Sequence, residues 1–293
     1  MEHKTWVSGL NGYKKHILSN NEFITILTDC EVKKDRDITS IFQDHIGDRK
    51  YIEVLYSGGT DSELVLLTLL KAKIPFTAIT MVIKVDGCIL NTHDLYYSEK
   101  FCREHNIEQK KIDFDAGSFY GNGDYLNYLT PYRIIEPHVA SHFWLIEQLK
   151  HPIMGGDWPW VHKSKIQKVI SPSRLDYSCY ELFMKDKNID GIGNMINHSL
   201  ESTCKFIQLH LDCTVQTKKD HLVKHKMYSS LYPSIENRVR SYGWENCRKN
   251  ILNMTECKIE LIKKSKIVTP IIQWGETIAN ILETTERENK SFV

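Results

Sequence analysis

The sequence is poor in the features that mark several protein classes. Eight prolines and 15 glycines in 293 residues are too few for a collagen-like or low-complexity chain. With 41% hydrophobic and 26% charged residues, wholesale disorder is excluded. No uninterrupted apolar run approaches the roughly 18 residues that cross a bilayer, and Met1 to Trp6 lacks the apolar core of a signal peptide. A large excess of charge of one sign is also missing. The formal net charge is +1, so the global balance demands neither nucleic acid nor an anionic membrane. These absences point to a cytoplasmic protein with no membrane partner. The cysteines, Cys30, Cys88, Cys102, Cys179, Cys204, Cys213, Cys247 and Cys257, include no CxxC pair. Such spacing suits neither a zinc knuckle nor a redox pair. The thiols read as small buried hydrophobes, with no disulfide expected.

The clearest organisation begins at Tyr51. Residues 51–56 have strand composition and end at Ser57-Gly58-Gly59. Residues 62–71 read as a buried helix, closed by Pro75, and residues 76–83 as a second strand. A helix over 94–105, a strand over 110–114 and a helix over 136–149 follow, the last with Pro137 in its first turn. Residues 151–154 then enter Gly155-Gly156-Asp157, a fourth strand-to-loop junction. Strand alternating with helix predicts a doubly wound α/β fold, a parallel sheet covered on both faces. Ligands of such sheets bind beyond the carboxyl ends of the strands, where both glycine junctions fall.

The flanks are less regular. Residues 1–49 are an N-terminal extension, with a short strand expected over 21–28 and a helix over 39–46 capped by Asp37 or Thr39. Residues 50–175 form the α/β domain, and residues 176–293 a mostly helical, basic region. Ile251, Met254, Cys257 and Leu261 follow helical spacing, as do Ile271, Trp274, Ile278 and Leu282. Between residues 205 and 266 there are 13 Lys/Arg and 6 Asp/Glu. Lys218, Lys219, Lys224, Lys226, Arg238 and Arg240 lead into a Tyr242-Gly243-Trp244 turn. This is either a solvated basic face or a phosphate-binding one, for a nucleic acid or a nucleotide tail.

The segment that carries chemistry is Ser57-Gly58-Gly59-Thr60-Asp61-Ser62. The start of a helix leaves backbone N–H groups without partners and carries the positive end of the dipole. Two glycines let the backbone approach a ligand closely, and the hydroxyls of Ser57, Thr60 and Ser62 add hydrogen bonds. The result is a cradle for phosphate oxygens. Asp61, a carboxylate inside an anion cradle, calls for a cation, and Mg²⁺ bridging Asp61 and phosphate would supply it. The loop is neither a Walker A sequence nor GxGxxG.

SGGTDS between a buried strand and a helix resembles the PP-loop of the N-type ATP pyrophosphatases, whose pattern SGGxDS is complete here. The likeness covers about residues 50–165 and runs closest to the synthetase domain of asparagine synthetase. It implies an ATP-binding loop that grips pyrophosphate, cleavage between the α and β phosphates, and an adenylated substrate. By the same resemblance, Gly155, Gly156 and Asp157 help hold Mg-pyrophosphate, although Trp158-Pro159-Trp160 stands where a longer GxGxDE-like stretch is usual. The end of the second strand, Thr80, Met81 and Ile83, would supply backbone contacts to adenine. Lys163 and Lys165 could reach the leaving pyrophosphate or be solvated loop lysines. Tyr132 and Arg133 could touch substrate, and Trp158 and Trp160 could wall its pocket or pack. His138 and His142 sit at i, i+4 without a third ligand and read as packing residues.

Residues 1–49 are too few for a glutaminase domain, so nitrogen would come from ammonia, another amine or a partner subunit. The leading expectation is an AMP-forming synthetase. A carboxylate or carbonyl oxygen of a small-molecule or nucleobase acceptor attacks the α-phosphorus of ATP, and an amine displaces AMP. The alternatives are sulfur transfer to a nucleobase or tRNA or phosphosulfate reduction, with Cys88 or Cys179 as candidate thiols, and an adenine-nucleotide-binding module without catalysis.

Overall fold

A computed structural model describes residues 16–18, 36–132, 137–156, 160–163, 168–171, 176–196, 198, 201–202, 205–206, 209, 212 and 220–235. In chain order the first elements are β1 (His16–Leu18), α1 (Ile38–Ile46), β2 (Ile52–Leu55), α2 (Thr60–Lys71), β3 (Phe76–Val85) and β4 (Cys88–Ile89). Next come α3 (Thr92–Glu104), β5 (Gln109–Asp115), α4 (Ala116–Gly121), α5 (Tyr125–Leu129), a 3₁₀ turn (Thr130–Tyr132) and α6 (Pro137–Ile146). The last are β6 (Pro152–Met154), β7 (Trp160–Lys163), β8 (Lys168–Ser171), α7 (Asp176–Asp186) and α8 (Asp220–Leu231).

The central sheet has five strands. β5, β3, β2 and β6 are parallel, and β4 is antiparallel on the β3 edge. β2 is buried along its whole length because neighbours flank it on both sides and helices cover both faces. Glu53 within it is tolerated because its carboxylate accepts the Lys150 N–H at 2.7 Å. One face carries α1, α2 and α3, with Ile41, Phe42, Leu64, Leu66 and Phe101 in its core. The other carries α4 to α7, with Phe114, Tyr120, Phe143, Leu145 and Phe183. The parallel α/β architecture is as expected from the alternating pattern.

Several details differ from the sequence reading. α2 begins at Thr60, two residues earlier than expected, because extended Gly59 is the N-cap and puts Thr60 and Asp61 inside the first turn. β3 runs to Val85, and α3 begins at Thr92. The helix over 38–46 is capped as expected, the Asp37 carboxylate accepting the Ser40 N–H at 2.9 Å. A second, three-stranded antiparallel sheet, β1-β8-β7, was not anticipated. It places Lys163 on a strand paired with Lys168 rather than in a loop. The strand expected over 21–28 and the helical spacings after residue 250 lie outside the described residues.

The boundary expected at residue 175 does not separate two cores. Tyr180 and Phe183 of α7 pack with Phe143 of α6, whose ring stacks on Phe183 at 4.0 Å. Ile192 bridges Ile153 of β6. On the other face Phe206, Val223, Met227 and Tyr228 join the cluster that holds Leu64 and Val65. α1, assigned to the N-terminal extension, packs there too.

Two partly buried histidines make stability pH-dependent. Burial, with His198 beside it, pushes His45 down to about 3, and burial pushes His142 down to about 4. Both folded values lie below the ordinary 6.5. The unfolded chain therefore takes up protons first as pH falls, and stability present at neutral pH is lost from about 6.5 downward. At pH 5 each group is expected to cost about 2 kcal/mol relative to pH 7. Thermal melts across that range check this, and His142→Gln should shallow the slope.

Candidate nucleotide site

The loop at 57–62 leaves the carboxyl end of β2 and is tied down before it turns. The Tyr56 N–H donates to Ile79 O at 2.8 Å. The Tyr56 carbonyl accepts the Thr80 hydroxyl at 2.9 Å. The Tyr56 hydroxyl donates at 2.7 Å to Glu63, a fully buried carboxylate in the first turn of α2. Gly59 offers no side-chain cap, so the first-turn amides of α2 are not closed off by their own N-cap. A backbone dipole without its usual cap is a ready anion site.

Three elements clasp this loop. From α3, the Asp94 carbonyl lies against Gly58. A Cβ at Gly58 would come within 2.6 Å of that oxygen, and its φ of 80° lies in the left-handed region. From the end of β6, Gly155 packs on Ser62, where an added Cβ would lie 3.2 Å from the Ser62 Cα. The two glycine junctions found in the sequence are thus neighbours in space. Buried Asn194 in turn covers Gly156 so closely that a Cβ there would collide with its carboxamide.

The third element is α8. Lys224 Nζ lies 2.9 Å from Asp61 Oδ2, and the Tyr228 hydroxyl donates to Asp61 Oδ1. Lys224 and Tyr228 are one helical turn apart, so both reach the same carboxylate. Tyr228 is fully buried, and Val223 and Met227 anchor the helix in the core. The sequence reading started α2 at residue 62 and so left Asp61 in the loop before it. Asp61 sits instead in a helix turn, partly covered, with both oxygens engaged.

This arrangement sets a condition on a divalent cation. Asp61 is a hard oxygen donor of the type Mg²⁺ uses, and one carboxylate with phosphate oxygens and water suffices. A divalent cation at Asp61 would be repelled by the Lys224 ammonium, which lies 2.9 Å from Oδ2. Lys224 would therefore compete with the cation for Asp61. Among the described residues no group of three His, Cys, Asp or Glu side chains is arranged to hold a metal. Asp157 and Lys165 lie outside the described residues, and of Lys163 only the backbone is described.

At the end of β3, where adenine contacts were expected, some polar groups already have partners. β3 extends beyond β2, and its open edge is filled by the chain that follows it. The Ile83 N–H donates to Asn91 Oδ1 at 2.9 Å, and the Asn91 amide donates to the Met81 carbonyl at 2.8 Å. The Ile83 N–H is therefore already spent, and Met81 has one lone pair engaged. The Thr80 side chain is used on Tyr56 and Gln109.

Other candidate residues fall elsewhere. Tyr132 is buried against Phe143 and Phe183, in the helical layer opposite α2. His142 Nδ1 lies 2.6 Å from the Tyr180 hydroxyl, a packing role. Cys88 is exposed on β4, while Cys102 is buried and its thiol is pushed up to about 12, chiefly by burial and then by Glu63. Lys226 is exposed. Arg133, Trp158, Lys218, Lys219, Arg238, Arg240 and the turn at 242–244 lie outside the described residues, as do the side chains of Trp160 and Cys179. A cavity of about 440 Å³ opens between Phe119, Tyr128, Trp144, Glu147 and Phe183. No residue of either glycine junction lines it. Glu63, Asn91, Asp94, Asn194 and Tyr228 were not singled out from the sequence, and Lys224 was noted only as part of a basic run.

No family model and no curated protein matches the chain. Solved structures similar to it include NMN synthetase from Francisella tularensis, 14% identical over 86% of this chain and 99% of that one, with a TM-score of 0.29. The U34-tRNA thiolase NcsA from Methanococcus maripaludis is 14% identical over 92% and 75%, with a TM-score of 0.31. A predicted subunit of tRNA methyltransferase from Methanocaldococcus jannaschii is 17% identical, with a TM-score of 0.31. That match covers 49% of this chain and just under two thirds, 66%, of that one. Likenesses this distant say nothing of activity. No described helix is long and apolar enough to cross a membrane. SGGTDS does stand between a buried parallel strand and a helix, with the second glycine junction beside it. In its 57–62 loop, set between strand and helix, the chain resembles the PP-loop ATP pyrophosphatases.

Proposed function

We propose that the chain is an ATP-dependent synthetase that adenylates a carboxylate or carbonyl oxygen, releases pyrophosphate and passes the activated group to an amine. The observation that carries this reading is the clasped start of α2. A first turn whose N-cap is a glycine, the hydroxyls of Ser57, Thr60 and Ser62, and the Lys224 ammonium all belong to or adjoin one loop. That set suits the β and γ phosphates of ATP. The acceptor oxygen then attacks the α-phosphorus, the bond to the bridging oxygen breaks, and pyrophosphate leaves with its charge neutralised in place. An amine next attacks the acyl or imidoyl carbon, and AMP departs with the oxygen. Most of the acceleration comes from positioning and from charge neutralisation on the leaving group. No general base is required for the first step when the acceptor is a carboxylate. A divalent cation, held by Asp61 once Lys224 has moved, would supply further neutralisation of the phosphate oxygens.

The test is the fate of ATP labelled at the α and γ phosphates, incubated with carboxylate and nucleobase acceptors and ammonium. AMP and pyrophosphate in equal amounts, dependent on the acceptor, are expected. ADP and orthophosphate would contradict the reading. Cys88→Ser and Cys179→Ser are expected to keep full turnover. Loss of product with either substitution would favour sulfur transfer instead.

A further inference from the structure

Lys224 and a divalent cation would compete for the single negative charge of Asp61. Lys224 holds one carboxylate oxygen at 2.9 Å, and the buried Tyr228 hydroxyl holds the other. α8 itself is not free to swing away, because Val223, Met227 and Tyr228 are packed into the core with Leu64 and Val65 of α2. What can move is the lysine stem, whose side chain is 18% exposed. Lysine carries its charge on four rotatable carbons and can exchange partners without moving its backbone. The phosphate tail, on the reading above, lies within the same loop.

We propose that Lys224 is an internal cation that occupies Asp61 while no nucleotide is bound. It gives up that carboxylate when a divalent cation arrives with the nucleotide, and moves onto the phosphate tail. Tyr228 stays on Asp61 throughout and fixes the carboxylate for both occupants. The loop is then never left with an uncompensated carboxylate, and the divalent cation is admitted together with the nucleotide rather than alone. The first half of the proposal, competition for Asp61, stands on the observed contacts. The second half, transfer to the phosphates, rests on the ATP reading.

Electron paramagnetic resonance of free Mn²⁺ separates the two. Without nucleotide, Lys224→Met is expected to bind Mn²⁺ about ten-fold tighter than the wild type, because an ammonium no longer competes. Lys224→Met combined with Asp61→Asn should lose the gain. With Mn²⁺ saturating, Lys224→Met is expected to bind α,β-methylene-ATP about ten-fold more weakly, since a charge-assisted contact to phosphate is gone. Lys224→Gln, which keeps a polar head, guards against a folding artefact and should follow the same pattern in both assays. Unchanged or weaker Mn²⁺ binding in the single variants would overturn the competition. Tighter Mn²⁺ binding with unchanged analogue affinity would overturn the transfer. If no variant and no wild-type protein binds the analogue, the ATP reading fails, and the metal titration still decides whether Lys224 guards Asp61.

Discussion

Asp61→Asn is expected to lower ATP-dependent pyrophosphate release by about two to three orders of magnitude, the range seen when one fixed electrostatic contact to a reacting group is removed. The substitution keeps the size of the side chain and an oxygen for the Tyr228 hydroxyl, but removes the charge that holds Lys224 and would hold a divalent cation. Its melting temperature should stay near that of the wild type. Asp61→Ala is a poorer choice. It removes the contacts of both the buried Tyr228 hydroxyl and the partly buried Lys224 ammonium with this carboxylate, so stability falls along with chemistry. Reading turnover and melting together separates loss of chemistry from loss of fold. Wild-type turnover in Asp61→Asn would remove this residue from the reaction.

Gly58→Ala is the second large effect. At φ of 80° an alanine is strained by about 1–3 kcal/mol. Its Cβ would also meet the Asp94 carbonyl at 2.6 Å, a backbone atom that cannot rotate aside. The loop must therefore shift away from α3, and the amides at the start of α2 lose their common aim. Affinity for ATP is expected to fall about a hundred-fold or more, with strain and misalignment acting together. Circular dichroism should report a folded protein, since the core clusters on both faces do not depend on this glycine. By contrast, Gly87→Ala on the exposed turn before β4 meets nothing within 4 Å. It too has a positive φ, 76°, so it controls for backbone strain without the clash.

The strand–loop–helix unit was legible because its signals are local. A run of Ile52, Val54 and Leu55, two glycines and a leucine-rich stretch lie within twenty consecutive positions, and each has one structural reading. The parallel sheet followed from the same alternation. The short helices α4 and α5 were not legible. Their sequence from Ala116 to Leu129 is broken by Gly117, Gly121 and Gly123 and shows no sustained period, so burial of Phe119, Tyr120 and Tyr125 decides their form. The β1-β8-β7 sheet depends on pairing His16 with Ile170, far apart in the chain.

The candidate site divides in the same way. Ser57 to Ser62 and Gly155-Gly156 were found by composition and context. Lys224 and Tyr228 are separated from Asp61 by 163 and 167 positions, and nothing local marks one lysine among the many in that basic stretch. The Asn91 contacts at the end of β3 were not legible either. A strand that outruns its neighbour has an edge to satisfy, and Asn91, eight residues after Ile83, satisfies it.

Calorimetric titration of the wild-type chain with Mg²⁺ and α,β-methylene-ATP is the most direct trial of the ATP loop, because that analogue binds without being cleaved. One site per chain with measurable heat, abolished in Gly58→Ala and retained in Gly87→Ala, is the predicted result. No heat with the wild type, or equal heat in all three proteins, would contradict a nucleotide tail held at residues 57–62.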